Sequence, residues 1–415
     1  MSPGRGFSLI FLLASFLSAR AADGDSLSRN PAYNAIEPRF KPLAAQLSRS
    51  LTDQPAFGRE LQFYHTGAEK FSHLEQDIRS AASSIHMVYY RYTDKSYGTA
   101  IRDLLVERAA AGVEVKFIFE NLADFWVPPS FFEPLRKAGG EVAYFTPLNR
   151  PGRFLRHLNH RDHQKFVIID GKIGYTGGMN ISDKYLHDWN DTHLRVTGRA
   201  AAAMDGPFQD VWKDLMPGFQ PCVPLPEHDS SGVILQTIAD RALDREHPME
   251  DALIWALDHT EERFYASTPY FAPTPPLLEA LLRAAGQGKD IRIILPAQSD
   301  VYVMDACHWL FYQRCTEAGI RMYLNEGVFN HSKIFVMDDY LSGVGSVNLD
   351  ARSLRLNYEN NSFIYDRETA ATLGSYLQEI MASSPEVKDP GPDPPHMNLL
   401  KRLILGLTWL FSPLL

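Results

Sequence analysis

Two short stretches of the chain carry residue types that can act on a phosphodiester. His163 and Lys165 open HQKFVIID (163–170), and His331 and Lys333 open HSKIFVMD (331–338). Residues i and i+2 of a strand point to one face, so each histidine shares a face with its lysine. Asp170 and Asp338 close the motifs at an odd offset, past the apolar run, which gives them a supporting role. A neutral imidazole can attack phosphorus, while a protonated one can donate to the leaving oxygen. An unperturbed histidine titrates near about 6.5, so one neutral and one charged ring can coexist near neutral pH. Two lysines suit the charge that spreads over non-bridging oxygens during displacement.

Read alone, HQKFVIID passes for a half-buried strand that ends in an Asp-Gly turn. Its twin changes that reading. His331 follows His163 by 168 residues, and the same offset relates Lys165 to Lys333, Asp170 to Asp338 and Gly177 to Gly345. It also relates Asn180 to Asn348 and Asp191 to Glu359. The asparagines follow the turns TGGMN and VGSVN, where glycine permits close backbone approach, and can return amide donors to the same pocket. Asp191 and Glu359, each 28 residues after a histidine, can orient the rings and fix their tautomer.

The elements that must position these residues repeat too. IHMVYYRY (85–92) corresponds to FYASTPYF (264–271), and amphipathic helical stretches follow near 98–111 and 276–288. Apolar runs of strand type come next at 113–120 and 291–296, then second helical stretches that end in Ala-Gly at 138–139 and 318–319. This order predicts an α/β fold in which each half is a sheet flanked by helices. The halves would be related by a pseudo-twofold axis with one active site between them. Residues 59–222 and 223–385 form the two halves, split in the proline-bearing PGFQPCVPLPEHDSSG.

Outside the halves, residues 1–21 have the layout of a secretory signal peptide or an uncleaved anchor, and 22–58 are a lead-in. Residues 386–415 read as a Pro-rich linker and an apolar tail, too short to span a membrane comfortably and suited to its interface. DFWVPPSFF (124–132) reads either as a packed hydrophobic connection or as a segment that enters acyl chains. The basic lead-in to the first motif offers Arg153, Arg156 and Arg161 to an anionic headgroup, against a reading as a solvated loop.

The 415-residue chain is 45% hydrophobic and 22% charged, with a formal net charge of −9. That is a folded globular composition, and its acidity weighs against a nucleic-acid binder with a wholly basic surface. Three cysteines, Cys222, Cys307 and Cys315, give neither a disulfide framework nor a common zinc pattern.

The duplicated HxKxxxxD, with GGxN and GSxN after it, resembles the phospholipase D superfamily over about residues 60–385. Within it, RDHQKFVIIDGKIGYTGGMNISDKY, TPYFAP and HSKIFVMDDYLSGVGSVNLDARSLRLNYENN are similar to bacterial cardiolipin synthases. The resemblance implies a phosphatidyltransferase that needs no metal or other cofactor and passes through a phosphatidyl-histidine. It makes His163 the nucleophile and His331 the general acid, then base. Lys165, Lys333, Asn180 and Asn348 would hold the phosphate, and Asp191 and Glu359 would hydrogen-bond the histidines. It further implies anionic phospholipid substrates and a membrane surface, with no nucleic-acid partner. With the signal-like start, it suggests a peripheral enzyme on the periplasmic face of the bacterial inner membrane. A hydrolase of the same fold that releases phosphatidic acid is the alternative. A nuclease would need an extended basic groove, and a non-catalytic module would not need both motifs intact.

Overall fold

In the computed structural model, residues 24–388 are described, apart from 125, 147–151, 153–158, 222, 224, 226–230, 243 and 245. The first half contributes strands β1 (Ala56–Thr66), β2 (Ser84–Tyr89), β3 (Glu114–Phe119), β4 (Glu141–Tyr144), β5 (Lys165–Ile169), β6 (Ile173–Gly177) and β7 (Trp189–Thr197). The second begins with β8 (Val233–Asp240), β9 (Arg263–Ser267), β10 (Phe271–Ala272), β11 (Asp290–Pro296) and β12 (Arg321–Asn325). It continues with β13 (Phe329–Asn330), β14 (Ile334–Met337), β15 (Leu341–Gly345), β16 (Leu349–Asp350) and β17 (Glu359–Tyr365).

The sequence repeat becomes a symmetric sheet. Its strand order is β12-β11-β9-β14-β15-β17-β8-β1-β7-β6-β5-β2-β3-β4, so each half is the mirror of the other in order about the β8–β1 pair. That pair is antiparallel (Ala56 opposite Leu235, Gly58 opposite Val233), as a twofold axis between the halves requires. Parallel pairs β2–β3 and β9–β11 are each joined by a helix, Ser96–Ala110 and Pro275–Gly286. The second helix starts with Thr274, whose hydroxyl accepts from Leu277 N, followed by Pro275 and Pro276 in the first turn.

Helices cover both faces of the sheet, which is why β5 and β14 are apolar runs buried at every position. One core cluster spans the two halves, joining Val88, Ile118 and Phe166 to Tyr265, Ile294 and Val336 beneath Trp212 and Leu377. The lead-in packs against the second half: Phe40, Leu43 and Leu47 share a cluster with Ile238, Leu253 and Phe363. At the other end the body extends past residue 385. Leu324 N donates to Pro385 O, Val387 N donates to Met322 O, and Arg321 pairs with Glu386 at the edge of the sheet. The start of the predicted linker therefore belongs to the folded unit. The signal-like segment 1–21 and the tail beyond 390 lie outside the described residues, and no described helix is long and apolar enough to cross a membrane.

The aspartates of the two motifs hold strand connections. Asp170 and Asp338 have positive φ (54° and 52°), a conformation a short polar side chain tolerates at a strand end. Asp170 Oδ1 accepts from Ser83 N (2.7 Å) and Ser84 N (2.9 Å), and Oδ2 from Ala82 N (2.9 Å). Asp338 accepts from the N–H groups of Glu261, Glu262 and Arg263, and Arg39 of the lead-in adds an ion pair at 2.5 Å. Burial alone would raise both carboxyls, yet these donors hold them below the usual range. Asp170→Asn or Asp338→Asn turns an amide N–H toward N–H donors. Each should cost about 1–3 kcal/mol of stability, measured by denaturant unfolding. An unchanged unfolding midpoint would contradict this anchoring role.

Candidate active site

The histidines sit where the two halves cross. Asp162 bridges to Tyr358 and Asn330 pairs with Asn190, two equivalent parallel contacts between a motif and the opposite half. His163 N then donates to Tyr358 O (2.8 Å) and His331 N to Asn190 O (2.7 Å). Both rings line one cavity of about 370 Å³ together with Asn180, Asn348, Tyr90, Tyr185 and Tyr270.

The acids pair across the halves. His163 Nδ1 lies 2.8 and 2.9 Å from the two carboxylate oxygens of Glu359, and His331 Nδ1 lies 2.7 Å from Asp191 Oδ2. Each acid therefore serves the histidine of the other repeat, not the one 28 residues before it. A carboxylate accepts Nδ1–H, which leaves the lone pair on Nε2. The acids are themselves fixed. Glu359 accepts from Ser346 Oγ (2.5 Å) and Asn357 Nδ2 (3.1 Å), and Asp191 accepts from Thr192 N (2.7 Å). A Cβ at Gly178 would fall 2.2 Å from Asp191 Oδ1, which explains glycine there in TGGMN.

Lys165 and Lys333 are buried beneath the rings, and their ammonium groups turn back to the carbonyls of His163 and His331. Lys333 also lies 3.7 Å from Asp191. Of the two asparagines, Asn180 takes Arg91 N on its oxygen (3.0 Å) and gives an N–H to Tyr185 OH (3.0 Å). Asn348 donates to Ser353 Oγ (3.2 Å) and its buried Oδ1 has no partner among the described residues. One N–H of Asn180 thus supports Tyr185, whose hydroxyl is 3.3 Å from His331 Nδ1.

Of the headgroup candidates, Arg161 lines the cavity, whereas Arg153 and Arg156 fall outside the described residues. DFWVPPSFF divides: Phe132 is buried against Phe117 at 5.2 Å, while Trp126 is 78% exposed. Cys307 and Cys315 are buried and unpaired on the helix Tyr302–Glu317. Among the described residues, no group of three or more His, Cys, Asp and Glu side chains could hold a metal ion.

With this geometry fixed, comparison with known proteins is informative. The family described as cardiolipin synthase, phospholipase D-like domain, matches residues 74–212 and 253–381, one match in each half. The chain belongs to this family. It is 31% identical over 347 residues to a cardiolipin synthase of Halalkalibacterium halodurans, covering 80% of this chain and 68% of that one. It is 34% identical over 323 residues to the major cardiolipin synthase of Bacillus subtilis, covering 75% and 67%. Among solved structures, phosphatidylserine synthase of Haemophilus influenzae superposes with a TM-score of 0.68 at 16% identity, over 88% of this chain and 98% of that one. Polyphosphate kinase of Porphyromonas gingivalis gives 0.55 at 13% identity, over 84% and 53%. These two likenesses concern the fold. The chain is a phosphatidyltransferase of the phospholipase D superfamily with cardiolipin synthase-like function.

For such an enzyme the electrostatics of the cavity matter. Burial pushes the His163 imidazolium down to about 4 against the pull of Glu359. It lowers His331 as well, with Lys333 adding to the effect. Both rings are therefore neutral near pH 7. Burial also lowers Lys165 to about 7 and Lys333 to about 8, and raises Asp191 to about 6. An arriving phosphodiester brings the negative charge that would lift the lysines and the rings again. The protonated lysines attract the anion, and that attraction is lost as pH rises through about 7–8. A profile of kcat/KM from about pH 5 to 9.5 should therefore fall on its alkaline side, while the same limb of kcat lies higher. A flat kcat/KM up to pH 9.5 would contradict a lysine-held phosphate.

Several cavity residues have no counterpart in the motif and were not singled out from the sequence. Tyr90 meets the His163 ring edge-on at 4.7 Å, and Trp189 lies 5.2 Å from the His331 ring. Arg352 stands in the cavity wall near Arg161 and donates to Asn159. The available signal was where the repeats disagree: at the 168-residue offset, Arg161 answers to Phe329 and Arg352 to Lys184.

Proposed function

We propose that the enzyme transfers the phosphatidyl group of one phosphatidylglycerol to another, making cardiolipin and releasing glycerol. The observation that carries this reading is the pair of histidine–carboxylate couples, each built from both halves and both opening on one cavity. His163 Nε2 attacks phosphorus, the P–O bond to glycerol breaks, and His331, protonated on Nε2 once the anionic phosphodiester is bound, gives that proton to the departing oxygen. The primary hydroxyl of the second phosphatidylglycerol then loses its proton to His331 and attacks phosphorus. The P–N bond breaks and His163 is restored. Lys165 and Lys333, together with Asn180 and Asn348, neutralise and hold the phosphate oxygens. Arg161 and Arg352 offer bidentate donors to an anionic headgroup. Exposed Trp126 and the apolar tail are suited to a membrane surface on the periplasmic side.

The test is to incubate purified enzyme with phosphatidylglycerol vesicles labelled in phosphate and glycerol, with and without EDTA, and to separate the products. Cardiolipin and free glycerol in equal amounts, unchanged by EDTA, are expected. Phosphatidic acid as the sole lipid product would identify a hydrolase instead.

A further inference from the structure

Among the places in the cavity wall where the twofold relation between the halves is broken, one bears on the glycerol. The registers of β2 with β3 and of β9 with β11 make Arg91 the counterpart of Tyr270, and Asp124 the counterpart of Asp300. In the first half the carboxylate is neutralised. Asp124 Oδ2 accepts from Tyr92 N (3.0 Å), and Oδ1 lies 3.4 Å from Arg91 Nε. In the second half tyrosine replaces arginine, and its hydroxyl donates to Asp300 Oδ1 at 2.7 Å. Asp300 is exposed and lines the cavity, and among the described residues no second hydrogen-bond donor reaches it. The Tyr270 ring stands edge-on to His331 at 6.2 Å, which puts this carboxylate on the flank of that histidine.

A carboxylate facing a cavity that receives phosphate needs a reason, because it repels the substrate's charge. Hydroxyl donors and ammonium groups are the ligands it can hold. An ammonium would enter beside Lys333 and Arg91, both of which already feel Asp300, and Lys184 Nζ already lies 4.9 Å from the Trp189 ring. A neutral polyol meets no such repulsion.

We infer that Asp300 and Tyr270 form the glycerol subsite, accepting hydrogen bonds from the hydroxyls of the leaving and incoming glycerol units and so selecting polyol headgroups. This rests on the transferase reading and deepens it: with phosphorus on His163 Nε2, the attacking hydroxyl arrives from the His331 side. Asp300 and Tyr270 are positioning residues. The oxygen they orient forms the new bond to phosphorus, the P–N bond breaks with its electron pair returning to the imidazole, and the hydroxyl proton passes to His331.

The experiment supplies full-length enzyme and phosphatidylglycerol vesicles with labelled glycerol, propan-1-ol or ethanolamine as competing acceptors, and counts each phosphatidyl product. Asp300→Ala should lower the ratio of transfer to glycerol over transfer to propan-1-ol by about ten-fold or more, the worth of hydrogen bonds to a charged acceptor. Tyr270→Phe, which keeps the ring, should move the ratio in the same direction by less. Asp300 could instead act only by keeping Lys333 charged. Transfer to every acceptor would then fall together with the ratio unmoved, and the inference would be overturned. A larger loss with ethanolamine than with glycerol would also overturn it, in favour of an ammonium site. If the unsubstituted enzyme passed its phosphatidyl group to water alone, the transferase reading would fall and the subsite with it, an outcome visible before any variant is made.

Discussion

His163→Ala and His331→Ala should each lower kcat by at least about 10³-fold, and the double variant should be little worse than either alone. The reason is the division of labour in one displacement. Without His163 there is no nitrogen to carry the phosphatidyl group, and without His331 the glycerol oxygen must leave unprotonated. Both rings are small parts of a large folded body, and their main-chain contacts to Tyr358 and Asn190 survive truncation. The loss should therefore appear in turnover with the unfolding midpoint little changed, measured side by side on the same preparations. Residual activity above a few per cent in either variant would contradict the two-histidine scheme.

Glu359→Gln and Asp191→Asn carry the second large effect, a fall in kcat of about 10²–10⁴-fold each. An amide can donate to Nδ1 and so impose the wrong tautomer, and it cannot stabilise the imidazolium. The pairing across halves gives this a signature that activity alone lacks. With histidines labelled in their ring nitrogens, Glu359→Gln should shift the Nδ1–H resonance of His163 and spare that of His331. Asp191→Asn should do the reverse. Pairing within each repeat would exchange the two outcomes.

That pairing shows where sequence reasoning stopped. The constant 168-residue offset made the duplicated α/β architecture legible, because a repeat of strands and helices has few ways to bury its apolar faces other than one sheet about a twofold axis. The His-x-Lys pairing was legible only as a spacing, since His163, His331 and Lys333 lie just ahead of β5 and β14 and not in the strands themselves. The partner of each histidine was not, because it depends on which strands meet across the axis. The separation of 28 residues points to the acid of the same repeat, while the bridges Asp162–Tyr358 and Asn330–Asn190 bring in the other. The inward turn of the lysines was likewise hidden, since i+2 spacing fixes the side of the strand and not where a flexible side chain ends. Tyr270 and Arg352 escaped notice because a search for likeness between halves passes over the positions where the halves differ, and Asp300 because its counterpart Asp124 does not fall at the 168-residue offset of the motifs.

The central claim is a covalent phosphatidyl-histidine on the first motif. Mixing the enzyme with phosphatidylglycerol labelled at phosphorus, quenching within one turnover and mapping the label by peptide tests it most directly. The expected result is acid-labile, alkali-stable label on the peptide that contains His163, which disappears as cardiolipin forms. Protein free of label while product accumulates, or label on the peptide that contains His331, would contradict it.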